Sequence, residues 1–132
     1  MPEEQLPNPQ AHRKILCIED EPFISELYAR ALKKAGYIVT VVVDGVEGLK
    51  AAQTDQYDII LLDLMLPNLT GIEILRVLRD PAHSPPKAKI IISTNLEQRE
   101  EVRADIEKQA DGYVVKAELT PRELVNFLDK IK

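Results

Sequence analysis

The sequence has no tryptophan and few other aromatic residues, and it carries a single cysteine. Aromatic residues make up 5% of the chain, so a surface that stacks nucleic-acid bases is not expected. Cys17 has no partner for an internal disulfide and stands in an apolar run, which predicts a buried side chain and a reducing compartment. Neither a signal peptide nor an apolar run of about 18 residues, enough to cross a bilayer, is found. We therefore expect a cytoplasmic domain that does not enter a membrane.

Positive charge is also in deficit. The 17 Lys and Arg residues are outnumbered by 22 Asp and Glu residues, for a net charge of −5. Nucleic-acid binding by this chain is disfavoured because phosphate contacts need an excess of positive charge. With 45% apolar and 30% charged residues in 132, the composition suits a globular domain with one core. Residues 1–13 carry three prolines and are predicted to be a flexible tail, with the folded domain over 14–132.

Short apolar clusters alternate along the chain with segments of helical periodicity. The predicted strands are rich in β-branched residues and lie at 15–18, 38–43, 59–62, 90–92 and 113–115. Most of them do not alternate apolar with polar positions, which is typical of a parallel sheet covered by helices on both faces. The alternation predicts an α/β fold of the (βα)5 type, a doubly wound five-stranded parallel sheet. A common strand order for it is 2-1-3-4-5.

The helices are predicted from apolar spacing and from residues that cap their N-termini. Pro22 stands at a favoured first-turn position of the first helix. Three later helices are predicted to open with capping boxes, formed by Asp44 with Glu47, Thr70 with Glu73 and Thr120 with Glu123. The segment from about 97 to 108 has few apolar residues, so we expect the least firmly packed helix there.

Polar side chains follow four of the predicted strands. Glu19 and Asp20 follow the first strand, Asp63 the third, Thr94 the fourth and Lys116 the fifth. In open α/β sheets ligands bind beyond the carboxyl ends of the strands, so these side chains are expected to share one crevice. Each residue alone has an ordinary structural explanation, such as a helix cap for Asp63 or a solvated cation for Lys116. Their joint placement is what indicates a site.

The chemistry of this group indicates a divalent cation. Carboxylates so close together repel one another, and one of them takes up a proton unless a cation lies between them. The group offers oxygen ligands and includes neither His nor Cys, which favours Mg²⁺ over Zn²⁺. Mg²⁺ typically binds one or two protein carboxylates together with a substrate phosphate. The pattern therefore points to a site that receives a phosphoryl group.

The chain resembles the receiver domain of two-component response regulators over about residues 13–132. Four fragments carry the resemblance in order and spacing: KILCIEDEP at 14–22, ILLDLMLP at 60–67, IIST at 91–94 and GYVVK at 112–116. The resemblance implies a flavodoxin-like receiver fold. It also implies a signalling protein that takes a phosphoryl group from a sensor histidine kinase or a phosphotransfer protein. Such a protein turns over no separate substrate and is not an enzyme in that sense.

The resemblance also implies roles for individual residues. Asp63 is the implied phosphoacceptor, and Asp20 and Asp63 bind Mg²⁺ together with the backbone carbonyl of Met65. Glu19 contributes to the metal site mainly through water. Lys116 pairs first with Asp63 and then with the phosphoryl oxygens.

The same resemblance implies a conformational switch. Thr94 hydrogen-bonds the bound phosphoryl group, and Tyr113 is the aromatic residue that turns inward as Thr94 moves. Switching changes the face formed by helix 4, strand 5 and helix 5, which binds a downstream protein. A homodimer can also form on phosphorylation.

Three residues depart from the family pattern. Ala117 follows the lysine where the family usually has a cis proline. A cis bond costs about 3–4 kcal/mol before Ala but only about 0.5–1 kcal/mol before Pro, so we predict a trans bond and a rearranged loop. Asn95 replaces a small residue beside the phosphoryl pocket, where its amide either narrows access or hydrogen-bonds the phosphoryl group. Gln109 stands where glycine usually follows the fourth helix, so a left-handed cap there would be strained.

Two other functions stay open. A receiver-like interaction module that is never phosphorylated is compatible with Ala117 and Asn95, although the acceptor aspartate, the threonine and the lysine are all present. A phosphatase of the haloacid dehalogenase type also uses an aspartate nucleophile and Mg²⁺. That class places its nucleophile after the first strand with a second aspartate two residues on, whereas Asp20 is followed by Glu21 and Pro22.

Overall fold

A computed structural model describes residues 12–95 and 99–131, which form strands and α-helices in strict alternation. The strands are β1 (Lys14–Ile18), β2 (Ile38–Val42), β3 (Ile59–Asp63), β4 (Lys89–Thr94) and β5 (Gly112–Val115). The α-helices are α1 (Pro22–Lys34), α2 (Gly45–Gln53), α3 (Gly71–Arg79), α4 (Glu100–Gln109) and α5 (Pro121–Asp129). Short 3₁₀ turns lie at Pro81–His83 and Lys116–Glu118.

The strands form one parallel sheet in the order β2-β1-β3-β4-β5, which confirms the predicted fold class and strand order. Successive residues of a strand point to opposite faces of the sheet, so each central strand contributes to two cores. In β1, Leu16 and Ile18 face α2 and α3, whereas Ile15 and Cys17 face α1 and α5. Cys17 is buried, as predicted, and burial raises the pKa of its thiol to about 12.

Strand β2 departs from the predicted sheet in which helices cover both faces. Ile38 is 47% exposed and Val41 is 38% exposed, because β2 lies at the edge of the sheet with a strand on one side only. The predicted start of the fourth helix near residue 97 and most of the predicted tail over 1–13 lie outside the described residues. Helix α4 has Ile106 as its one buried residue among those described, as its sparse apolar pattern predicts.

Side chains of the predicted residues cap α2, α3 and α5, and the pair of reciprocal bonds that defines the predicted capping box is present at α5. The Thr120 hydroxyl accepts from the Glu123 N–H at 3.1 Å, and the Glu123 carboxylate accepts from the Thr120 N–H at 3.1 Å, which completes a capping box at α5. At α2 and α3 the cap side chain accepts from the backbone N–H of the glutamate at 3.2 Å. None of the helices in the described part of the chain has the length and apolar character needed to span a membrane.

Helix α4 ends without a left-handed residue at Gln109, so the strain that such a cap would carry does not arise. Gln109 is the last helical residue, and Ala110 is already extended, with φ −94° and ψ 161°. Arg79 of α3 donates to the Gln109 carbonyl at 2.6 Å and pairs with Asp111 at 2.8 Å. A side chain from a neighbouring helix thus satisfies a C-terminal carbonyl that a glycine cap often satisfies from within the chain.

Candidate functional site

The carboxyl ends of β1 and β3 bring three acidic side chains together. Glu19 and Asp20 follow β1, and Asp63 is the last residue of β3, its neighbour in the sheet. One carboxylate oxygen from each of the three lies within 4.8 Å of the others. Glu19 and Asp63 are buried, at 2% and 3% exposed, whereas Asp20 is exposed to solvent.

Lys116 also reaches this acidic cluster. It directly follows β5, which lies two strands from β3 in the sheet. Its Nζ forms an ion pair with Glu19 and lies 3.1 Å from Oδ2 of Asp63. The bond between Lys116 and Ala117 is trans, as predicted, and a 3₁₀ turn follows. The lysine therefore reaches the acidic cluster without a proline or a cis bond after it.

Backbone N–H groups orient the two buried carboxylates. The N–H of Met65 donates to Oδ1 of Asp63 at 3.0 Å, and the N–H of Glu21 donates to Oε1 of Glu19 at 3.3 Å. Each carboxylate therefore has one oxygen on the backbone and the other towards Lys116. Both carboxylates are therefore fixed in orientation by a backbone N–H and by Lys116 before any ligand binds, which preorganises the site.

Gly71 allows α3 to pack directly against the loop that holds Asp63, a contact that sequence reasoning missed. A Cβ atom at this position would lie 2.2 Å from the carbonyl oxygen of Asp63 and 2.7 Å from the Cα of Leu64. The N–H of Gly71 donates to the carbonyl of Leu64 at 3.1 Å. Both obstacles are backbone atoms, so the loop has little room to move away.

We expect Gly71→Ala to lower the free energy of unfolding by about 1–3 kcal/mol and to displace Asp63, because the added methyl group overlaps backbone atoms. Urea unfolding and Mg²⁺ titration measure the two effects. Gly112→Ala is the matched control, since its added Cβ meets the ends of side chains rather than backbone. Wild-type stability and Mg²⁺ affinity in Gly71→Ala would contradict the role of this packing.

Burial and mutual charge shift the protonation equilibria of the site. Burial raises the pKa of Glu19 to about 7; the hydrogen bond from Lys116 opposes this shift, and the charge of Asp63 reinforces it. Burial alone would lower the pKa of Lys116, but its bonds to Glu19 and the charge of Asp63 outweigh burial and raise it. Lys116 is therefore charged at neutral pH, while Glu19 is partly protonated.

We expect Mg²⁺ affinity to fall as the pH drops below about 7, because the ion must compete with the proton on Glu19. The raised pKa of Glu19 also makes the free energy of unfolding depend on pH. The unfolded chain ionises Glu19 first, so the stability of the metal-free protein falls as pH rises from 4.5 to about 7. Calorimetric Mg²⁺ titrations between about pH 6 and 8 test the first expectation, and Glu19→Gln should flatten the profile. An unchanged profile in Glu19→Gln would assign the pH dependence to another group.

The family model that matches this chain describes the response regulator receiver domain, and the match spans residues 15–129. The chain belongs to this family. Phosphorylation and Mg²⁺-dependent phosphotransfer are general features of receiver domains. They pair with histidine kinases, and in general they do not turn over a separate substrate.

Relatives of the receiver domain include longer regulators. Response regulator ArlR of Staphylococcus saprophyticus is 37% identical over 119 residues, which cover 90% of this chain and 50% of that protein. The alkaline phosphatase synthesis transcriptional regulatory protein PhoP of Bacillus subtilis is 37% identical over 86% of this chain and 45% of its own. The chain thus spans about half the length of these relatives.

Solved structures share the fold of the receiver domain. The chemotaxis response regulator CheY4 of Vibrio cholerae superposes with a TM-score of 0.79 at 28% identity, over 92% of this chain and all of that one. The receiver domain of a Pseudomonas aeruginosa sensor histidine kinase superposes with a TM-score of 0.78 at 29% identity, over 91% of this chain and 97% of that one. The latter has a magnesium ion coordinated in its active-site cleft.

The remaining predicted site residues of the receiver domain lie on β4 and β5. Thr94 is fully buried as the last residue of β4, and Asn95 is exposed directly after it. Tyr113 is half-buried in β5, and the guanidinium of Arg103 lies 4.5 Å from its ring centroid, at cation–π distance. Arg103 is on α4, so its contact with Tyr113 links α4 to β5. The contact joins two elements of the tertiary fold, and no sequence pattern indicated it.

Proposed function

We propose that this receiver domain accepts a phosphoryl group on Asp63 from a sensor histidine kinase or a phosphotransfer protein. The reaction depends on Mg²⁺ and changes the α4–β5–α5 face that a downstream protein binds. The convergence of Glu19, Asp20 and Asp63 on the buried Lys116 supports this proposal more than any other observation. The proposed domain spans 14–132 after a tail over 1–13, works in the cytoplasm and binds no nucleic acid through this segment.

The acidic cluster fits Mg²⁺ by the chemistry of its donors. Three carboxylates within 4.8 Å offer hard oxygen ligands, which Mg²⁺ prefers. In our proposal Asp20, Asp63 and the backbone carbonyl of Met65 hold the ion directly, and Glu19 holds it through water. When bound, the ion neutralises negative charge on the carboxylates and on the phosphoryl oxygens.

In our proposal Asp63 is the nucleophile. A carboxylate oxygen of Asp63 forms a bond to phosphorus as the bond between phosphorus and the donor's histidine nitrogen breaks, which gives an aspartyl phosphate. Phosphoryl transfer requires mainly positioning and charge compensation from the protein. The backbone N–H of Met65 fixes the carboxylate, and the charge of Lys116, 3.1 Å from Oδ2, compensates the negative charge on the transferred group.

The proposed switch follows from the new charge. The phosphoryl oxygens accept a hydrogen bond from Thr94, which moves inward and changes the space open to Tyr113. Helix α4 buries only Ile106 among the described residues, so it shifts at small cost when Tyr113 moves. Asn95 borders the pocket and sets the access of donors and of water to the aspartyl phosphate.

The two alternatives are weaker than this proposal. A module that is never phosphorylated has no need for two buried carboxylates on one buried lysine, an arrangement that is expensive to desolvate. A dehalogenase-type phosphatase would use an aspartate after β1, yet Lys116 contacts Asp63 at the end of β3. The family match also favours the receiver. In our proposal the domain modifies itself and turns over no other substrate.

Incubation with acetyl phosphate and Mg²⁺ tests the proposed function. We expect the intact mass to increase by one phosphoryl group, and we expect the increase to vanish when a chelator removes the metal. The chelated sample is the control for phosphoryl groups acquired without the ion. A chain that stays unmodified with Mg²⁺ present, from both acetyl phosphate and a phosphorylated phosphotransfer protein, would contradict the proposal.

A further inference from the structure

The outer edge of β2 carries no strand and no protecting charge among the residues that the structure describes. Within the described residues β2 pairs only with β1, so its other side carries no strand. Proteins usually protect such edges with charged residues, proline, bulges or very short strands. The five residues of β2 are Ile-Val-Thr-Val-Val, which include no charge and no proline. The opposite edge strand, β5, has four residues and begins with glycine, so it is the less favourable template.

Exposed apolar side chains surround this edge. Ile38 and Val41 of β2 are 47% and 38% exposed, and Val43 directly after the strand is 53% exposed. Val46 in the first turn of α2 is 40% exposed. Because side chains alternate between the two faces of a strand, Ile38 lies on the face that carries Val42 and Val41 on the face that carries Val39, so exposed apolar side chains border the outer edge on both faces.

The backbone of β2 has hydrogen-bonding groups directed away from the sheet. The Ile38 N–H donates to the Arg13 carbonyl at 2.9 Å, and the Val42 carbonyl accepts from the Glu19 N–H at 3.0 Å. Ile38 and Val42 therefore point their backbone groups towards β1. Because the direction alternates along a strand, Val39 and Val41 point their N–H and C=O groups outwards. They present the pattern that a further strand can pair with.

The two ends of β2 carry opposite charges, which bears on how two copies of the strand would pair. Lys33 and Lys34 end α1 just before the strand, and Asp44 and Glu47 follow it. Two copies of β2 side by side in the same direction would bring like charges together. In the opposite direction the basic end of one copy meets the acidic end of the other, which favours antiparallel pairing.

We propose that two copies of this chain associate through β2, with antiparallel pairing about a two-fold axis at Val41. The sheet then continues from one copy into the other, and Val41 packs against its own counterpart at the axis. An interface one strand wide is smaller than the standard total of about 1,600 Å², so we expect a dissociation constant above about 1 μM. The contact lies at the edge of the sheet opposite β5 and does not depend on phosphorylation.

Sedimentation velocity of the full chain over a range of concentrations tests this proposal. We expect the average mass to rise from the monomer's 14.9 kDa towards twice that value as concentration increases. Val41→Pro removes an N–H that points outwards and leaves the bonds to β1 in place, so association should weaken by about tenfold or more. Val41→Lys, which brings two positive charges together at the axis, should weaken it as strongly.

Val41→Thr is the matched control, because it keeps the N–H and the branched shape and should still associate. Circular dichroism during heating shows whether each variant is folded. If Val41→Pro is unfolded, Val41→Lys carries the test. The proposal is overturned by a wild-type chain that stays monomeric up to about 1 mM, since an edge contact of this kind should then be populated. Association that persists unchanged in the folded Val41 variants would overturn it equally, because it would place the contact on another face.

Discussion

Asp63→Asn abolishes labelling by acetyl phosphate if Asp63 is the phosphoacceptor, because the amide is not a nucleophile. The substitution is nearly isosteric. It leaves the ion pair between Glu19 and Lys116 in place, so the variant should fold. Intact mass measured after incubation with Mg²⁺ reports the loss directly. Few single substitutions at this site should have so large an effect.

Two control variants separate the role of Asp63 from a general effect of lost charge. Asp55→Asn changes an exposed aspartate whose carboxylate accepts from the Lys87 N–H, and an asparagine oxygen still accepts there, so labelling should be unchanged. Asp20→Asn should still be labelled but should require more Mg²⁺. Labelling of Asp63→Asn at the wild-type level would move the acceptor to another residue. Labelling lost in Asp20→Asn alone would point to a nucleophile after β1.

Lys116→Met should lower the free energy of unfolding by about 3–5 kcal/mol at about pH 8 without metal, because it leaves two buried carboxylates without their cation. Methionine keeps much of the length and volume of the lysine stem, so the loss reflects charge rather than a cavity. Urea unfolding in the presence of a chelator measures this loss. Added Mg²⁺ should restore part of the stability, since the ion binds the folded state.

Lys50→Met is the matched control for the lysine. Lys50 forms an exposed pair with Glu47 at 3.6 Å, and such pairs contribute about 0–1 kcal/mol. The labelled Lys116→Met variant should also fail to reach the switched state, because the phosphoryl oxygens lack their cationic partner. Equal destabilisation by the two substitutions would show that Lys116 does not compensate the buried carboxylates.

The sequence predicted those parts of the structure that depend on local periodicity and on the order of elements. The β-branched clusters located all five strands to within two residues at either end, and their alternation with helices led to the strand order observed. The acidic residues that follow β1 and β3 were expected to meet, and their carboxylates do lie together. Polar residues at the ends of parallel strands are close for a topological reason, so this part of the site is readable from sequence.

Contacts between distant elements were not predictable in the same way. Arg79 of α3 caps α4, and Arg103 lies over the ring of Tyr113. In the sequence, both arginines occupy positions of an amphipathic helix that are expected to face solvent. Gly71 looks like an ordinary first helical residue until its distance to Asp63 is known. The exposure of β2 also follows from its edge position, whereas its composition suggests a covered strand. In each case the deciding neighbour comes from another part of the chain.

The stacking of Arg103 on Tyr113 has a practical consequence for following this domain in solution. The chain has no tryptophan, four tyrosines and two phenylalanines, so its ultraviolet emission comes mainly from the phenol rings of tyrosine. One of those four rings lies beneath a guanidinium at 4.5 Å, on the strand that the proposed signal must cross. One of the four intrinsic chromophores of the molecule therefore lies on the strand of the proposed switch, and a change in its surroundings contributes to the emission without an attached dye.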